Sequence, residues 1–330
     1  MVSSTSISSI HSDILHTHIL TRLDGQSLAS LSFTSSELRS LSNDETLWTA
    51  ICHSTWSSFS DAHFYTLSQL ISNFPNGARS FFSDSFPLLL TQPVISQSPN
   101  NPQSLCPIEI ISAVDIHYKD KLLFSKVQET ATHSRYFQCS PFRIDLIDSE
   151  KGIPTPLKLK DGISMSLMDD LRLSWIIVIG QKAANFSSFK PVSVQHYRLT
   201  NDSRVKFATI LSIDQEVEVK CEITVTFEGD MEVSEVSMHV ENMDGFGLNG
   251  KDSLEVLGRA IMNGERRMGS SDEAKERVEK YEQRTMKRSG KMVVNILANG
   301  WASDAIRLAA FGASVLLPFG MLVLCRTCFC

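Results

Sequence analysis

Apolar residues recur at helical spacing near the start of the chain. One set comprises Ile14, Leu15, Ile19, Leu20 and Leu23, and a second set comprises Leu28, Leu31, Leu38 and Leu41. Spacings of three and four residues place such side chains on one face of a helix. Between the two sets lies Asp24-Gly25, a typical signal for the end of a helix followed by a turn. The pattern therefore predicts several short helices over residues 10–56.

A different period begins at about residue 108. From Val217 to Phe227, apolar residues alternate with charged and polar ones, which is typical of a half-buried β-strand. The apolar members are Val217, Val219, Cys221, Ile223, Val225 and Phe227. A turn is predicted at Glu228-Gly229-Asp230, and the alternation resumes at Val236. The pattern predicts a hairpin whose first strand directs its odd-numbered residues into the core.

A continuous apolar run from Leu173 to Ile179 differs from these alternating strands. Such a run suits a central strand, and Trp175 within it is expected to fill the core. Few helical patterns interrupt the strands between residues 108 and 265. This segment is therefore predicted to be a mainly antiparallel, sandwich-like β domain.

The remaining segments differ in composition. Prolines concentrate between residues 91 and 107, which is typical of a linker. A capping box formed by Ser270 and Glu273 predicts a charged helix after the β domain. The expected fold class is α+β. The predicted order is a disordered N-terminus (1–9), a short-helix module (10–56), a helix and Pro/Ser-rich linker (57–107), a β domain (108–265), a charged helix (266–300) and a hydrophobic tail (301–330).

The tail is apolar from Leu308 to Cys325 except at Ser314. A helix of this length spans roughly 27 Å, slightly less than a hydrocarbon core of about 30 Å. One interpretation is a membrane anchor at residues 308–325 whose N-terminal side is held in the cytosol by preceding basic residues. The candidate acylation sites are then Cys325, Cys328 and Cys330. The alternatives are an apolar helix packed on the β domain and a disordered end.

Charge and cysteine content narrow the function classes. The net charge of −6 over 330 residues and the pI near 5.9 argue against broad nucleic-acid binding, which needs a basic face. Seven dispersed cysteines do not have the pattern of a disulfide framework. Residues 1–12 lack the basic and apolar regions of a signal peptide. The cytoplasm or the nucleus is therefore the expected compartment.

Short motifs of other kinds carry weaker signals. Residues 245–250 match a dinucleotide-binding glycine pattern, but the alternating strand before them favours a Gly-rich turn. The histidines His16 and His18 flank a helix without a cysteine or carboxylate set, so solvent exposure is expected rather than a metal site. No nucleophile–base set is recognisable. The sequence therefore predicts no catalytic residue, no metal and no cofactor.

Several stretches together resemble a known family. The F-box pattern is matched by Asp13–Leu15, Ile19–Gly25, Ser27–Ala29 and Leu47–Trp48. Further stretches similar to those of a plant F-box group are Ser80–Pro87, Leu173–Ile176, Pro191–Gln195, Asn242–Gly245 and Leu248–Leu254. The resemblance covers roughly residues 7–265 and points to a plant F-box protein with a β-rich C-terminal domain.

The resemblance implies a non-catalytic target-receptor subunit of a Skp–cullin–F-box ubiquitin ligase. The implied partners are a Skp-type adaptor, a cullin reached through it, and an unknown target protein. Amphipathic helices laid into a groove present anchors at helical spacing. The expected adaptor-binding residues are Ile10, Ile14, Leu15, Ile19, Leu20, Leu23, Leu28, Leu31, Leu47 and Trp48.

One position departs from the family pattern. The usual Leu-Pro opening is replaced by Ile10-His11. Proline would fix φ at the helix start, so we expect its loss to weaken the first helix slightly. The alternative for residues 10–50 is a purely structural role, as a helical hairpin that packs on the rest of the chain.

Two other function classes stay open. The first is a lectin-like F-box protein that recognises glycosylated targets, because the β domain faintly resembles phloem-lectin sandwiches. Exposure of Trp175 or Tyr197 at the sandwich surface would favour sugar stacking, and burial would remove it. The second is an enzyme, which would need a deep pocket with convergent titratable side chains.

Overall fold

A computed structural model supplies the three-dimensional structure. It describes residues 10–59, 71–90, 109–147, 152–155, 163–188, 190–212, 218–229, 232–267 and 272–288. Short helices come first, and two β-sheets with further helices follow. The α+β class and the mainly antiparallel sheets confirm the prediction.

The helices fall into an N-terminal group and four that accompany the strands. The N-terminal group comprises α1 (Ser12–Ile14), which continues as a π-turn (Leu15–Ile19) and a 3₁₀ turn (Leu20–Arg22), then α2 (Gly25–Leu31), α3 (Ser36–Ser42), α4 (Glu45–Thr55), a 3₁₀ turn (Ser57–Phe59) and α5 (Gly77–Ser85). The later helices are α6 (Arg135–Cys139), α7 (Ile163–Asp170), α8 (Gly250–Asn263) and α9 (272–288).

Twelve strands are described. They are β1 (Leu88–Leu90), β2 (Glu109–Tyr118), β3 (Lys121–Ala131), β4 (Arg143–Asp145), β5 (Ile153–Pro154), β6 (Leu171–Ile179), β7 (Lys182–Asn185), β8 (Ser193–Tyr197), β9 (Asp202–Ser212), β10 (Glu218–Glu228), β11 (Glu232–Asn242) and β12 (Glu265–Arg267). The first sheet has the order β12-β1-β7-β6-β2-β3, and the second has the order β4-β11-β10-β9-β8, with β5 paired to β11. Among the described strands, only β1 and β7 pair in parallel.

The two sheets share one apolar core, to which α8 also contributes. On β6, Leu173, Trp175 and Ile177 point into this core, while Ile176 and Val178 point to the N-terminal helices. Both faces of β6 are therefore covered, which explains its continuous apolar run. The predicted burial of Trp175 is confirmed: its side chain is 0% exposed, and its Nε1 donates to Ser112 Oγ at 3.3 Å.

Strand β10 has the predicted orientation but a different environment. Its odd-numbered residues Val219 to Phe227 face the core between the sheets, whereas Val217 lies outside the described residues. The expectation of a half-buried strand is wrong, because Lys220 and Glu222 on the other face are also buried. Helix α9 packs on the second sheet here, with Tyr281 fully buried.

Charged side chains fill the layer beneath α9. The ammonium of Lys220 lies 2.8 Å from Glu222 Oε2 and 2.9 Å from Glu241 Oε1, and Arg284 on α9 lies 2.6 Å from Glu218 Oε2. Burial alone would lower the pKa of Lys220, but the two carboxylates outweigh it and raise the pKa above its ordinary value. Paired charges therefore allow this polar strand face to be covered.

The glycine-rich segment forms a turn. Strand β11, which precedes it, is antiparallel to both β10 and β4, and Gly245 has a φ of +79°. The side chain of Asn249 then caps α8 by accepting from the Asp252 N–H at 2.9 Å. The predicted Gly-rich turn is confirmed, and the buried parallel strand that a dinucleotide fold requires does not precede it.

Candidate functional site

The N-terminal helices begin at side-chain caps. The cap of α2 is Asp24, which accepts from the Ser27 N–H at 2.7 Å. The cap of α4 is Asp44, which accepts from the Thr46 N–H at 2.8 Å. The first N–H groups of a helix lack intrahelical partners, and each such cap stabilises a helix by about 0.5–2 kcal/mol. These caps fix where α2 and α4 begin, which the helix propensities of the residues alone would not determine.

The first helix begins at His11, where the family pattern has proline. The backbone of His11 has a φ of −60° and a ψ of 137°, and φ lies close to the value that proline imposes. Its carbonyl accepts from the N–H groups of Ile14 and Leu15 at 3.0 and 3.1 Å. Its Nδ1 also accepts from the Asp13 N–H at 3.3 Å. The histidine therefore caps the helix locally in place of the missing proline.

The π-turn links the first helix to α4. In this turn His16 Nε2 lies 2.6 Å from Asp44 Oδ2, so the carboxylate that caps α4 also holds the first helix. Hydrogen bonds from the Thr46 hydroxyl and N–H, and then the contact with His16, lower the pKa of Asp44. The expectation of a solvent-exposed histidine is met by His18 but is wrong for His16, which is half-buried.

The interior of these helices is built around Trp48. Its indole Nε1 donates to the Ser42 carbonyl at 2.7 Å, and its ring lies 5.4 Å from that of Phe82 on α5. The guanidinium of Arg79 lies 5.8 Å from the Trp48 ring centre and donates to Asn43 Oδ1. Aromatic pairs of this kind add to the stabilisation by burial. Helix α5 is thus an integral part of the helical module, defined here as residues 12–59 with 71–85.

The predicted adaptor-binding residues divide by burial. The buried members are Leu15, Leu20, Leu28, Leu47 and Trp48, the half-buried members are Leu23 and Leu31, and the exposed members are Ile10, Ile14 and Ile19. The exposed isoleucines are 36%, 51% and 40% accessible, respectively. In the isolated chain the buried members serve the interior of the module, and only the others offer surface to a partner. The role of all ten in adaptor binding stays a prediction.

Sequence periodicity missed one exposed aromatic residue. The side chain of Phe33 is 78% exposed in the turn between α2 and α3. It falls outside the apolar spacing of the two helices, so the pattern gave it no role. A large apolar residue placed between two helical sets was the available signal.

The module rests on the outer face of the first sheet. Its apolar cluster includes Ile111 and Ala113 of β2 and Ile176 and Val178 of β6. At the end of the module, Ser58 donates from its N–H and its hydroxyl to the two oxygens of Asp115, each at 2.7 Å.

A third donor reaches the Asp115 carboxylate from the sheet itself. The hydroxyl of Ser125 on β3 donates to Asp115 Oδ1 at 2.7 Å. Burial raises the pKa of Asp115, and the hydrogen bonds from Ser58 and Ser125 oppose that rise. No local sequence pattern marks the contact between Asp115 and these two serines, because its partners are remote in the chain.

The chain thus consists of a capped helical module packed on a two-sheet β domain. Residues 14–54 match the F-box-like family model. A probable F-box protein of Arabidopsis thaliana is 43% identical over 284 residues, covering 83% of this chain and 81% of the relative. Two F-box proteins of the same plant are 41% and 37% identical, covering 85% of this chain and 81% and 87% of the relatives. The chain belongs to the F-box protein family.

The family match gives a general function. F-box domains bind Skp-type adaptors, and F-box proteins act in general as target receptors of Skp–cullin–F-box ubiquitin ligases. No solved structure matches the chain significantly.

Two further questions concern metals and membranes. Within the described ranges, no group of three or more His, Cys, Asp or Glu side chains is arranged to hold a metal ion. Among the same residues, no helix has the length and apolar character needed to cross a membrane. The candidate anchor at 308–325 and the candidate acylation sites Cys325, Cys328 and Cys330 lie outside the described residues.

Proposed function

We propose that this chain is the target receptor of a Skp–cullin–F-box ubiquitin ligase, with the helical module on the adaptor and the β domain on the target. The observation that carries the proposal is the exposed apolar surface on a module that matches the F-box model. Its exposed isoleucines, Ile10, Ile14 and Ile19, are 36–51% accessible, so a partner that covers one of them gains only part of the about 1.5–3 kcal/mol of a fully exposed side chain. Such a surface is expected where an adaptor binds.

The adaptor surface in this proposal follows the first helix. Ile14 directly precedes the π-turn and Ile19 is its last residue, and both side chains are exposed. The exposed Phe33 and the half-buried Leu23 and Leu31 extend the apolar surface. The buried leucines and Trp48 support this surface from beneath.

Target binding is proposed for the β domain because the module surface is occupied by the adaptor. The lectin-like alternative loses support, since Trp175 is buried and cannot stack on a sugar. Tyr197 is 43% exposed and keeps one aromatic side chain at the surface, although the Arg204 guanidinium lies 5.8 Å from the centre of its ring. A protein target fits the proposal better than a glycan.

The compartment is also a proposal. The chain is proposed to work in the cytoplasm or nucleus, with residues 308–325 tethering it to a membrane from the cytosolic side. Support comes from the apolar run and from the basic residues that precede it. A cytosolic tether would leave the helical module accessible to its adaptor.

A pull-down with a plant Skp adaptor tests the adaptor surface. The double variant Ile14→Asp with Ile19→Asp should abolish binding, because two carboxylates would be buried at the interface. A matched control is Leu199→Asp with Leu122→Asp, which makes the same chemical change at exposed positions of the β domain. Circular dichroism should show that both variants remain folded. Equal adaptor binding by the two folded variants would refute the proposed surface.

A further inference from the structure

A cavity of about 250 Å³ lies where the helical module meets the first sheet. The module contributes Thr55 and Trp56, and the segment after α5 contributes Phe86 and Leu88. Strands β2, β6 and β7 form the remaining wall. Drug-sized ligand pockets usually measure roughly 300–1,000 Å³, so this cavity suits a smaller molecule.

The ionisable groups that line the cavity are both basic. Its lining includes His117 and Arg172, which lie directly opposite each other in the register of β2 and β6, and it includes no carboxylate. Both side chains are half-buried. This contrasts with the acidic character of the whole chain, whose net charge is −6. A low-dielectric wall that carries only basic groups favours an anion.

The Arg172 guanidinium is held in place by the backbone. Its Nη1 donates to the carbonyls of Asp169 and Leu171 at 2.5 and 2.9 Å. A guanidinium has five N–H donors in a fixed fork that matches a carboxylate. The nearby buried Asp115 does not line the cavity, and its oxygens accept the hydrogen bonds from Ser58 and Ser125 described above.

Neutral hydrogen-bonding groups complete the polar wall. The hydroxyl of Ser174 is buried and has no hydrogen-bond partner among the described residues. The amide oxygen of Asn185 accepts from the N–H groups of Trp175 and Ser187, each at 3.2 Å. Its NH₂ group, on the opposite side of the amide, is an additional donor. Buried polar groups in proteins are normally satisfied, so Ser174 marks a position for a ligand atom.

We propose that this cavity binds a small organic carboxylate with a compact apolar body. The carboxylate pairs with Arg172 and His117 and accepts from Ser174, while the body packs against Trp56 and Phe86. The polar wall of the cavity thus suits the carboxylate, and the apolar wall suits the body of the ligand. Since the cavity is lined by the module and the sheet together, the ligand contacts both and stabilises their junction. Binding requires neither the adaptor nor a target.

Calorimetric titration of the purified full-length chain with benzoate tests the proposal. Benzamide is the matched neutral probe, because it keeps the ring and replaces the carboxylate with an uncharged amide. Benzoate should bind at least about tenfold more tightly, since charge-assisted hydrogen bonds exceed neutral ones. Equal binding of the two probes, or no binding of either, would overturn the carboxylate assignment. Tighter binding of phenyl phosphate than of benzoate would also overturn it.

Two variants locate the site. The variant Arg172→Gln removes the cationic group. It should weaken benzoate binding about tenfold or more and leave benzamide binding nearly unchanged. The control Arg198→Gln makes the same charge change at an exposed position of the β8–β9 hairpin and should bind benzoate as the parent does. If Arg172→Gln unfolds, Ser174→Ala provides the second measurement, again with reduced benzoate affinity. Parent-like benzoate binding by a folded cavity variant would show that the anion binds elsewhere.

Discussion

The imidazole of His16 lies 2.6 Å from the carboxylate of Asp44, which also caps helix α4. One carboxylate thus fixes both the start of α4 and the position of the π-turn before α2. Its hydrogen bonds to Thr46 favour the ionised form, and His16 favours it further.

We expect Asp44→Ala to lower the free energy of unfolding by about 1–2 kcal/mol, because it removes a helix cap and the partner of His16. In the parent chain, the stabilisation that Asp44 gives to the folded state depends on pH. The lowered pKa means that Asp44 stabilises the fold fully above its ordinary value near 3.8 and loses this effect as pH falls through the lower folded-state value.

Urea unfolding at neutral pH and at progressively lower pH measures both effects. The difference between parent and Asp44→Ala should shrink as the pH falls. The Asp24→Ala variant removes the cap of α2 without removing a histidine partner and serves as the comparison. A pH-independent difference for Asp44→Ala would contradict this electrostatic account.

The substitution His11→Pro should stabilise the chain. The backbone at His11 already has a φ of −60°, so proline would restrict the unfolded chain without straining the folded one. The expected gain is about 0.4–1 kcal/mol, less the weak hydrogen bond from Asp13 to the imidazole. Thermal unfolding compares it with His11→Ala, which loses the same hydrogen bond without the restriction. A lower midpoint for His11→Pro than for His11→Ala would refute the prediction.

Removal of the Asp115 carboxylate should loosen the module from the sheet. In Asp115→Ala, the buried donors of Ser58 and Ser125 lose their acceptor, which costs about 1–3 kcal/mol for each unsatisfied group. Hydrogen exchange should accelerate first around Ser58 and along the paired part of β2. The exposed Asp145→Ala on β4 is the control and should not change exchange at this junction. Unchanged protection around Ser58 would show that the apolar contacts suffice.

The buried and exposed members of the predicted adaptor set should differ in their effect on folding. Because Leu28 is fully buried, Leu28→Ala leaves a cavity in the module and should lower the free energy of unfolding by about 2–5 kcal/mol. The exposed Ile14→Ala should change stability by less than about 0.5 kcal/mol. Chemical unfolding combined with adaptor titration separates the two roles. A folded Ile14→Ala chain with parent affinity would remove Ile14 from the interface.

If residues 308–325 anchor the chain in a membrane, their removal should move the protein from the membrane fraction to the soluble fraction of the cell. A chain ending at Asn299 should be soluble, whereas the full chain should pellet with membranes and resist carbonate extraction, because it keeps the apolar run 308–325. The triple change of Cys325, Cys328 and Cys330 to serine tests acylation separately from insertion. Recovery of the full chain in the soluble fraction would refute the anchor.

The sequence predicted those features that depend on local patterns. Alternation in β10 gave the correct inward face, and the unbroken apolar run around Trp175 gave the central strand. Both signals arise because a strand alternates its side chains between two faces. The F-box resemblance likewise located the N-terminal helices, since their apolar spacing lies within a few turns of the chain.

The features that it missed depend on partners far away in the chain. The charged face of β10 has the composition of a solvent-exposed face, and only the packing of α9 shows that Lys220 and Glu222 are covered. Helical periodicity identified apolar faces but could not show whether Leu28 met an adaptor or the interior of its own module. The cavity at Arg172 is lined by five separate segments of the chain, so no local motif marks it.

The packing of the helical module on the first sheet has a consequence for ubiquitin transfer. The module and the sheet share one apolar cluster, and the Ser58–Asp115 contact fixes the 3₁₀ turn after α4 against β2. In the proposed complex, an adaptor that holds the module therefore also sets the direction in which the β domain faces. A bound target would then present a restricted zone of its surface to the ubiquitin-carrying enzyme. Lysines inside that zone would be modified and equally exposed lysines outside it spared, so the rigidity of this junction would determine which target lysines receive ubiquitin.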